Sequence, residues 1–234
     1  MKIILDPGHG ERDYGGGTNK YWKEKNMTLK ISLYQYKRLK ELGVDVELTR
    51  DEDKYIDSTK RTDIVKNSNA DICVSNHINS YKSTAKGAET IYSIYSDGKL
   101  ASSILDNLVS EGAYRRRVFC KQHPRNAKQD YYYMHRLTGS VETVIVEYGF
   151  ASNKEDTQKI LDNWQNYAEA VIKALCEYID VEYKLPQNIH WAEEYYDKLA
   201  NVYNVEISEK RFDDSMSRGE CFALMCKVLD SMVK

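Results

Sequence analysis

The sequence has few of the features that mark fibrous, secreted or membrane-spanning chains. Only 3 of its 234 residues are proline, and 30% are charged against 41% hydrophobic, which is the composition of an ordinary globular chain. No stretch approaches the roughly 18–20 apolar residues of a membrane span. The first apolar run covers only residues 3–5, so we expect no signal peptide. The length fits one α/β domain of about 150–200 residues with a small appendage.

Paired cysteines and an excess of basic charge are also missing. The five cysteines are scattered and form no CxxC spacing, which argues against a thiolate zinc site and against a disulfide framework. We therefore expect reduced thiols and folding in the cytoplasm. The formal net charge of −2 lacks the basic footprint of nucleic-acid-binding proteins. Neither nucleic acid nor a membrane is expected as a partner.

Apolar residues recur alternately at strand and helix spacing through the first 180 residues. Strands are predicted at 3–5, 44–48, 71–75, 88–92 and 141–146. Helices are predicted at 24–42, 59–67, 100–109 and 153–179. Alternating strands and helices predict an α/β fold, with a twisted, mostly parallel sheet flanked by helices on both faces. Residues 112–136 show neither period and are predicted to be irregular.

The last quarter of the chain has a different organisation. Pro186 lies in a polar stretch, 181–189, that we interpret as a linker between a main domain, 1–180, and a small helical domain, 190–234. One helix is predicted to begin near His190. A second is predicted at Ser217, because Ser217 and Glu220 have the spacing of a capping box.

Side chains that can bind a metal lie at the ends of predicted strands. His9 follows the first strand, His77 follows the strand at 71–75, and Glu147 ends the strand at 141–146. Glu24 lies at the start of the first long helix. In an open α/β sheet, binding sites form at the carboxyl ends of the strands, so these four side chains can meet at one edge.

Two imidazoles and one carboxylate around an open position are the ligands of a catalytic zinc site, which activates water. A second carboxylate that does not bind the metal can act as general base. His9, Glu24 and His77 can fill the first role and Glu147 the second. The alternative is that each histidine is a hydrogen-bonded structural residue, since spacing alone does not join ligands so far apart in the chain.

Five motifs in a fixed order carry a resemblance to a known family. They are DPGHG at 6–10, Glu24 with Asn26 and Leu29, LTRD at 48–51 leading to SNHINS at 75–80, GAET at 87–90, and VEYGFASN at 146–153. In this order they resemble the zinc-dependent N-acetylmuramoyl-L-alanine amidases of bacteria and their phages. The resemblance covers about residues 1–180.

The resemblance implies one Zn²⁺ ion bound by His9, Glu24 and His77, with Glu147 as catalytic acid and base. It implies hydrolysis of the amide bond between N-acetylmuramic acid and L-alanine in bacterial peptidoglycan, which lyses or remodels the cell wall. Asn79, Arg50 and Arg117 are candidate substrate-binding residues. The basic cluster at 115–117 either meets the acidic stem peptide or is a solvated loop.

Two other functions stay open at this stage. One is another zinc peptidoglycan hydrolase, a carboxypeptidase or a deacetylase, although the motif order argues against it. The other is a non-catalytic cell-wall-binding protein of the same fold, which the presence of all four candidate site residues argues against.

The stretches HWAE at 190–193 and RFDDSMSRGECFAL at 211–224 resemble a single S-layer-homology module, which implies binding to a secondary cell-wall polymer. The alternative for this region is a helical pair used in self-association. Without a signal peptide, the protein is expected to be made in the bacterial cytoplasm and to act on the wall after release by a holin or by mother-cell lysis.

Overall fold

The computed structural model describes residues 1–186 and 215–232, together with residues 196, 199 and 205. The chain separates into two compact units, Met1–Lys184 and Leu185–Lys234. Among the helices of the described residues, none combines the length and the apolar composition that crossing a membrane requires.

The first unit, which is described throughout, contains each strand and helix predicted for residues 1–180, with small shifts of their ends. Its strands are β1 (Lys2–Pro7), β2 (Asp45–Leu48), β3 (Ile72–Asn79), β4 (Ala88–Tyr92), β5 (Arg115–Phe119), β6 (Gln122–His123), β7 (Asn126–Asp130) and β8 (Glu142–Phe150). Its helices are α1 (Glu24–Glu41), α2 (Ser58–Asn67), α3 (Lys99–Ser110), α4 (Tyr133–Arg136) and α5 (Lys154–Tyr178).

Six of the strands form one sheet in the order β2-β1-β3-β8-β4-β5. Neighbours in this sheet are parallel except for β4 and β8, which are antiparallel. The predicted α/β class with a mostly parallel sheet is therefore confirmed. Because β1, β3 and β8 run in the same direction, their carboxyl ends lie side by side at one edge.

The two faces of the sheet bury different helices, as the alternation of strand side chains requires. Ile3 and Leu5 of β1 belong to the larger core, which also holds side chains of α1, α3 and α5. Ile4, between them, belongs to the smaller core with Val65 of α2 and Met134 of α4. Helices thus cover both faces, as predicted.

The prediction that residues 112–136 are irregular is wrong. They form β5, the β6–β7 hairpin and α4. The sequence of β5 is Arg115-Arg116-Arg117-Val118-Phe119, and all five residues are exposed or half-buried. It is an edge strand that pairs only with β4, so it lacks the apolar alternation by which a half-buried strand is recognised.

The predicted linker, 181–189, starts as part of the first unit. Its described residues, 181–186, have no regular secondary structure. The Tyr183 hydroxyl donates to Glu169 at 2.8 Å, and Arg38 donates to the carbonyl of Lys184 at 2.8 Å. These contacts attach the chain to the first unit as far as Lys184.

In the second unit the structure describes helix α6 (Arg218–Met232). The main-chain N–H of Ser217 donates to Glu220 at 2.8 Å, and the N–H of Glu220 donates to the Ser217 hydroxyl at 3.2 Å. The capping box predicted from the sequence is therefore confirmed. The helix predicted to begin near His190 lies outside the described residues.

His135 of α4 is buried, with 7% of its surface exposed. Burial lowers the pKa of this imidazole to about 4, and the Asp130 carboxylate with the main chain of Ile91 and Thr143 offsets this only in part. Since the unfolded chain binds a proton near pH 6.5 and the folded chain does not, His135 lowers stability progressively as the pH falls from 6.5 towards 4.

We expect the wild-type protein to lose about 2 kcal/mol more unfolding free energy than His135→Gln between pH 7.5 and pH 5, because the loss accumulates at about 1.36 kcal/mol per pH unit over the roughly 1.5 units between pH 6.5 and pH 5. Urea unfolding of both proteins at the two pH values measures this. Equal losses in the two proteins would show that His135 is not neutral in the folded state.

Candidate active site

A buried carboxylate fixes the end of β1, just before His9. Asp6 is fully buried, and it accepts hydrogen bonds from Thr49 and Ser75 at 2.7 Å and from Arg61 at 2.6 Å. Burial alone would raise the pKa of Asp6, but the Arg61 guanidinium and the two hydroxyls hold it below its usual value. The group is therefore an ionised carboxylate in a buried ion pair.

Two arginines hold the main chain that follows Asp6. Arg61 donates to the carbonyls of Pro7 and His9 at 2.8 and 2.9 Å. Arg50 donates to the carbonyls of Pro7 and Gly8 at 3.1 and 2.9 Å. With 3% of its surface exposed, Arg50 is occupied by the main chain. The prediction that Arg50 contacts substrate is corrected accordingly, since its role is to shape the His9 loop.

The His9 loop has an uncommon backbone. His9 has φ +64° and Glu11 φ +49°, in the left-handed region that costs non-glycine residues of order 1–3 kcal/mol. Gly10 and Asp13 exchange two main-chain hydrogen bonds across the loop. The Asp13 carboxylate lies 2.8 Å from His9 Nδ1. The loop thus fixes the imidazole with its Nε2 atom facing Glu24, 3.2 Å away.

His9, Glu24 and His77 converge at the carboxyl edge of the sheet. Glu24, in the first turn of α1, has Oε1 at 3.1 Å from Nδ1 of His77. One possible ligand atom from each of the three residues lies within 4.8 Å of the others. Two imidazole nitrogens and one carboxylate oxygen are the donor set of a three-ligand catalytic zinc site. The side chains present therefore fit a divalent metal.

The Glu24 carboxylate is held in its charged form. Burial alone would raise its pKa, but hydrogen bonds and charge interactions with His77 and His9 place the pKa far below the ordinary value. Main-chain N–H groups of Gly17 and Ile78 also donate to it, at 2.7 and 3.0 Å. An ionised carboxylate is the form that a metal requires.

Glu147 lies beside the three candidate ligands, paired with His77 in the register of β3 and β8. Among the described residues, its enclosed Oε2 atom has no hydrogen-bond partner. Burial raises the pKa of Glu147 well above its usual value, and the charges of Glu24 and Glu89 add to the effect. A carboxyl group with a raised pKa and a free oxygen can both accept and donate a proton near neutral pH.

These four residues line one pocket of about 360 Å³, together with Asn79 and residues that sequence analysis did not identify. The additional residues are Gly16, Gly17, Ile78, Ser80, Tyr132, Tyr133, Met134 and Ile145. The two tyrosines and Met134 belong to the segment predicted to be irregular. The run YYYM at 131–134 is the feature of the sequence that could have indicated this side of the pocket.

Arg117 lies outside the pocket lining, but one residue connects it to the site. Buried Glu89 of β4 accepts from Arg117 at 2.8 Å and from Asn79 at 3.0 Å. Glu89 also pairs with Glu147 in the register of β4 and β8. Glu89 lies in the GAET motif but was not predicted to be a site residue, because its proximity to Glu147 depends on strand register, which no local pattern shows.

The fold and the pocket together define an α/β protein with a candidate metal centre at the carboxyl edge of its sheet. The chain matches the N-acetylmuramoyl-L-alanine amidase family over residues 3–177. It is 30% identical over 162 residues to the probable cell wall amidase LytH of Staphylococcus aureus, covering 68% of this chain and 51% of LytH. The chain therefore spans about half the length of LytH. It is also 29% identical to YqiI of Bacillus subtilis, covering 76% of this chain and 84% of YqiI.

A solved structure agrees with this assignment. The catalytic domain of CwlV, an N-acetylmuramoyl-L-alanine amidase from Bacillus (Paenibacillus) polymyxa, superposes with a TM-score of 0.67 at 26% identity, covering 78% of this chain and 100% of that domain. The chain belongs to the N-acetylmuramoyl-L-alanine amidase family, which confirms the resemblance drawn from its motifs.

Replacing Arg61 by Met should lower the unfolding free energy by about 3–5 kcal/mol, because it leaves the Asp6 carboxylate buried without its counter-ion. Urea unfolding at pH 7 measures the change. Lys99→Met, which removes an exposed ion pair with Asp97, is the control and should leave the midpoint unchanged. A small effect of Arg61→Met would mean that the ion pair does not stabilise the β1 end.

Gly8→Ala should weaken binding of a divalent metal by about 10–100-fold, the range seen when groups behind metal ligands are altered. A Cβ at Gly8 would lie 2.3–2.7 Å from the His77 ring, so the ring must move. Gly16→Ala is the matched control, since no atom lies within 4 Å of its Cβ. Titration with Zn²⁺ followed by calorimetry compares the two, and equal affinities would contradict the placement of His77.

Proposed function

We propose that this protein hydrolyses the amide bond between N-acetylmuramic acid and L-alanine in bacterial peptidoglycan, with one Zn²⁺ ion and with Glu147 as acid and base. The observation that carries the proposal is the convergence of His9, Glu24 and His77 within 4.8 Å in a pocket that also holds Glu147. Family membership and the amidase activity named for LytH and CwlV support the proposed bond and substrate.

Zinc fits the three side chains better than a hard cation does, because two of the donors are imidazole nitrogens. When bound, zinc supplies Lewis acidity that polarises the scissile carbonyl and makes water more acidic. The protein supplies the orientation of its ligands. Asp13 holds His9 through Nδ1, and main-chain N–H groups hold the Glu24 carboxylate.

Glu147 accounts for the proton transfers. Its carboxylate accepts a proton from the attacking water as the new C–O bond forms at the lactyl carbonyl. It then donates that proton to the nitrogen of L-alanine as the C–N bond breaks, so that a neutral amine leaves. The unpartnered Oε2 atom and the raised pKa of Glu147 suit both steps.

The alternative functions have less support. A carboxypeptidase or deacetylase would use similar ligands, but the family match favours an amidase. A non-catalytic wall-binding protein would gain nothing from Glu147, since a buried carboxylate oxygen without a partner lowers stability. Binding of a secondary cell-wall polymer or self-association through 190–234, and release by a holin or by mother-cell lysis, stay predictions.

We expect purified peptidoglycan treated with the zinc-loaded protein to release peptides with amino-terminal L-alanine, and a chelator to abolish this release. Glu147→Gln should lower kcat by about 10²–10⁴-fold, the usual contribution of a positioned acid–base group, with zinc content unchanged. Mass spectrometry of the products and amine labelling measure both expectations.

The matched control is Glu142→Gln, at the opposite end of the same strand, where the carboxylate accepts hydrogen bonds from Ser96 and Tyr178. This variant should keep wild-type kcat. New reducing sugar ends instead of free L-alanine would overturn the amidase function. Full activity of Glu147→Gln would overturn the assigned acid and base.

A further inference from the structure

A row of charged side chains extends from the candidate metal centre across four neighbouring strands. His77 of β3 pairs in register with Glu147 of β8, Glu147 with Glu89 of β4, and Glu89 with Arg117 of β5. Side chains paired in this way lie on the same face of a sheet. We call these four residues the charged row. It leads from the pocket towards the exposed edge strand.

A β-bulge at the end of the charged row places two arginines beside one carboxylate. Ala88 pairs with Arg115 and Glu89 with Arg117, so Arg116 is an extra residue in β5. A bulge redirects side chains that a regular strand would point to opposite faces. Arg116 and Arg117 accordingly both donate through Nε to Oε1 of Glu89, at 2.7 and 2.8 Å.

The two guanidinium groups are also held by aromatic rings. Arg116 lies over the Phe150 ring at 4.9 Å, and Arg117 lies over the Phe119 ring at 3.9 Å. With Nε bonded and one face stacked, a guanidinium loses little further freedom when a ligand binds to its outer nitrogens. The Glu89 carboxylate, with 2% of its residue exposed, therefore acts as an anchor for both.

The outer nitrogens of Arg117 remain available. Among the described residues, Nη1 and Nη2 of Arg117 have no hydrogen-bond partner, and its side chain is 54% exposed. The two guanidinium charges exceed the single Glu89 charge by one, as +2 and −1 give +1. An exposed, oriented fork with one positive charge in excess is suited to binding a carboxylate in two-point geometry.

The spacing of the strands relates this fork to the scissile bond. Arg117 lies two strands from Glu147, which is about 10 Å at the usual 4.8 Å separation. An extended peptide covers about 3.3–3.6 Å per residue. A peptide leaving from Glu147 along the charged row would therefore bring its second or third residue to Arg116 and Arg117.

We infer that Arg116 and Arg117, anchored by Glu89, form a carboxylate-binding subsite for the peptide side of the substrate. The subsite selects stem peptides with a free carboxylate on the second or third residue over peptides with a carboxamide there. This inference rests on the proposed amidase function, and it assigns the acidic peptide as the preferred leaving group.

The test uses two sets of soluble peptidoglycan fragments that differ only in a carboxylate or a carboxamide on the second or third residue of the stem peptide. The zinc-loaded wild-type protein should cleave one carboxylate form with at least about 10-fold higher kcat/KM than its carboxamide, the factor that a charge-assisted pair provides. Arg117→Gln should remove the preference by raising KM for the carboxylate form. Arg117→Gln should therefore cleave the carboxylate and carboxamide forms with nearly equal kcat/KM.

Arg115→Gln is the matched control, because Arg115 is adjacent in sequence but pairs with Asp106 instead of Glu89. It should keep the preference. Arg116→Gln provides a second variant of the subsite and should also reduce the preference. Zinc content and unfolding midpoint confirm that each variant is folded.

The outcomes separate this inference from the function on which it rests. Equal cleavage of carboxylate and carboxamide forms by the wild type would overturn the subsite and leave the amidase function intact. The subsite would also be overturned, with the amidase function intact, if Arg115→Gln changed the preference as much as Arg117→Gln does. Cleavage of no fragment at the muramic acid to L-alanine bond would overturn the proposed function and the subsite with it.

Discussion

The buried ion pair of Asp6 and Arg61 is the interaction on which the site depends. A carboxylate with no exposed surface is stable only if its charge is compensated, and Arg61 together with Thr49 and Ser75 provides that compensation. Because Arg61 also binds the carbonyls of Pro7 and His9, the same group that neutralises Asp6 fixes the main chain of the His9 loop. The stability of the end of β1 and the placement of His9 therefore both depend on Arg61.

Parallel topology explains how residues distant in sequence meet. His9 follows β1, whereas His77 and Glu147 lie near the ends of β3 and β8, and these three strands are neighbours in the sheet. Each strand needs a crossover of its own before the next can pair in the same direction. The candidate ligands His9 and His77 and the candidate acid–base residue Glu147 are thus separated along the chain by whole helices, and their convergence follows from the sheet order.

This arrangement also decides how much could be predicted. The centre of β8, residues 144–146, is buried on both faces and continuously apolar, so the polar residue that follows it, Glu147, is visible in the sequence, as is His77 after the apolar start of β3. The motif order then identified the family. Arg50 was misassigned because a sequence motif shows that an arginine is present but not whether it faces solvent, and here main-chain carbonyls surround its guanidinium.

The features that sequence analysis missed share a physical cause, which is dependence on register. β5 was predicted to be irregular because an edge strand rich in arginine has no apolar alternation. Glu89 is an unremarkable residue of a short strand until the antiparallel pairing of β4 with β8 places it opposite Glu147. The bulge that turns both Arg116 and Arg117 towards Glu89 is defined only by the pairing with β4.

Three glutamates near the pocket show how the fold assigns different tasks to one residue type. Glu24 interacts with two histidines and accepts from two main-chain N–H groups, so it remains ionised. Glu89 accepts from Arg116, Arg117 and Asn79, so its charge is compensated. Within the described residues, Glu147 has one carboxylate oxygen without any partner.

Environments that push similar groups apart in pKa separate structural from proton-transferring roles. The pKa of Glu24 lies well below the usual range and that of Glu147 well above it, in each case because of the groups around the carboxylate. Histidines and main-chain N–H groups surround the Glu24 carboxylate, and Arg116, Arg117 and Asn79 donate to that of Glu89. Glu147 is therefore the glutamate of this pocket that the fold leaves uncompensated, and the two compensated carboxylates beside it raise its proton affinity further.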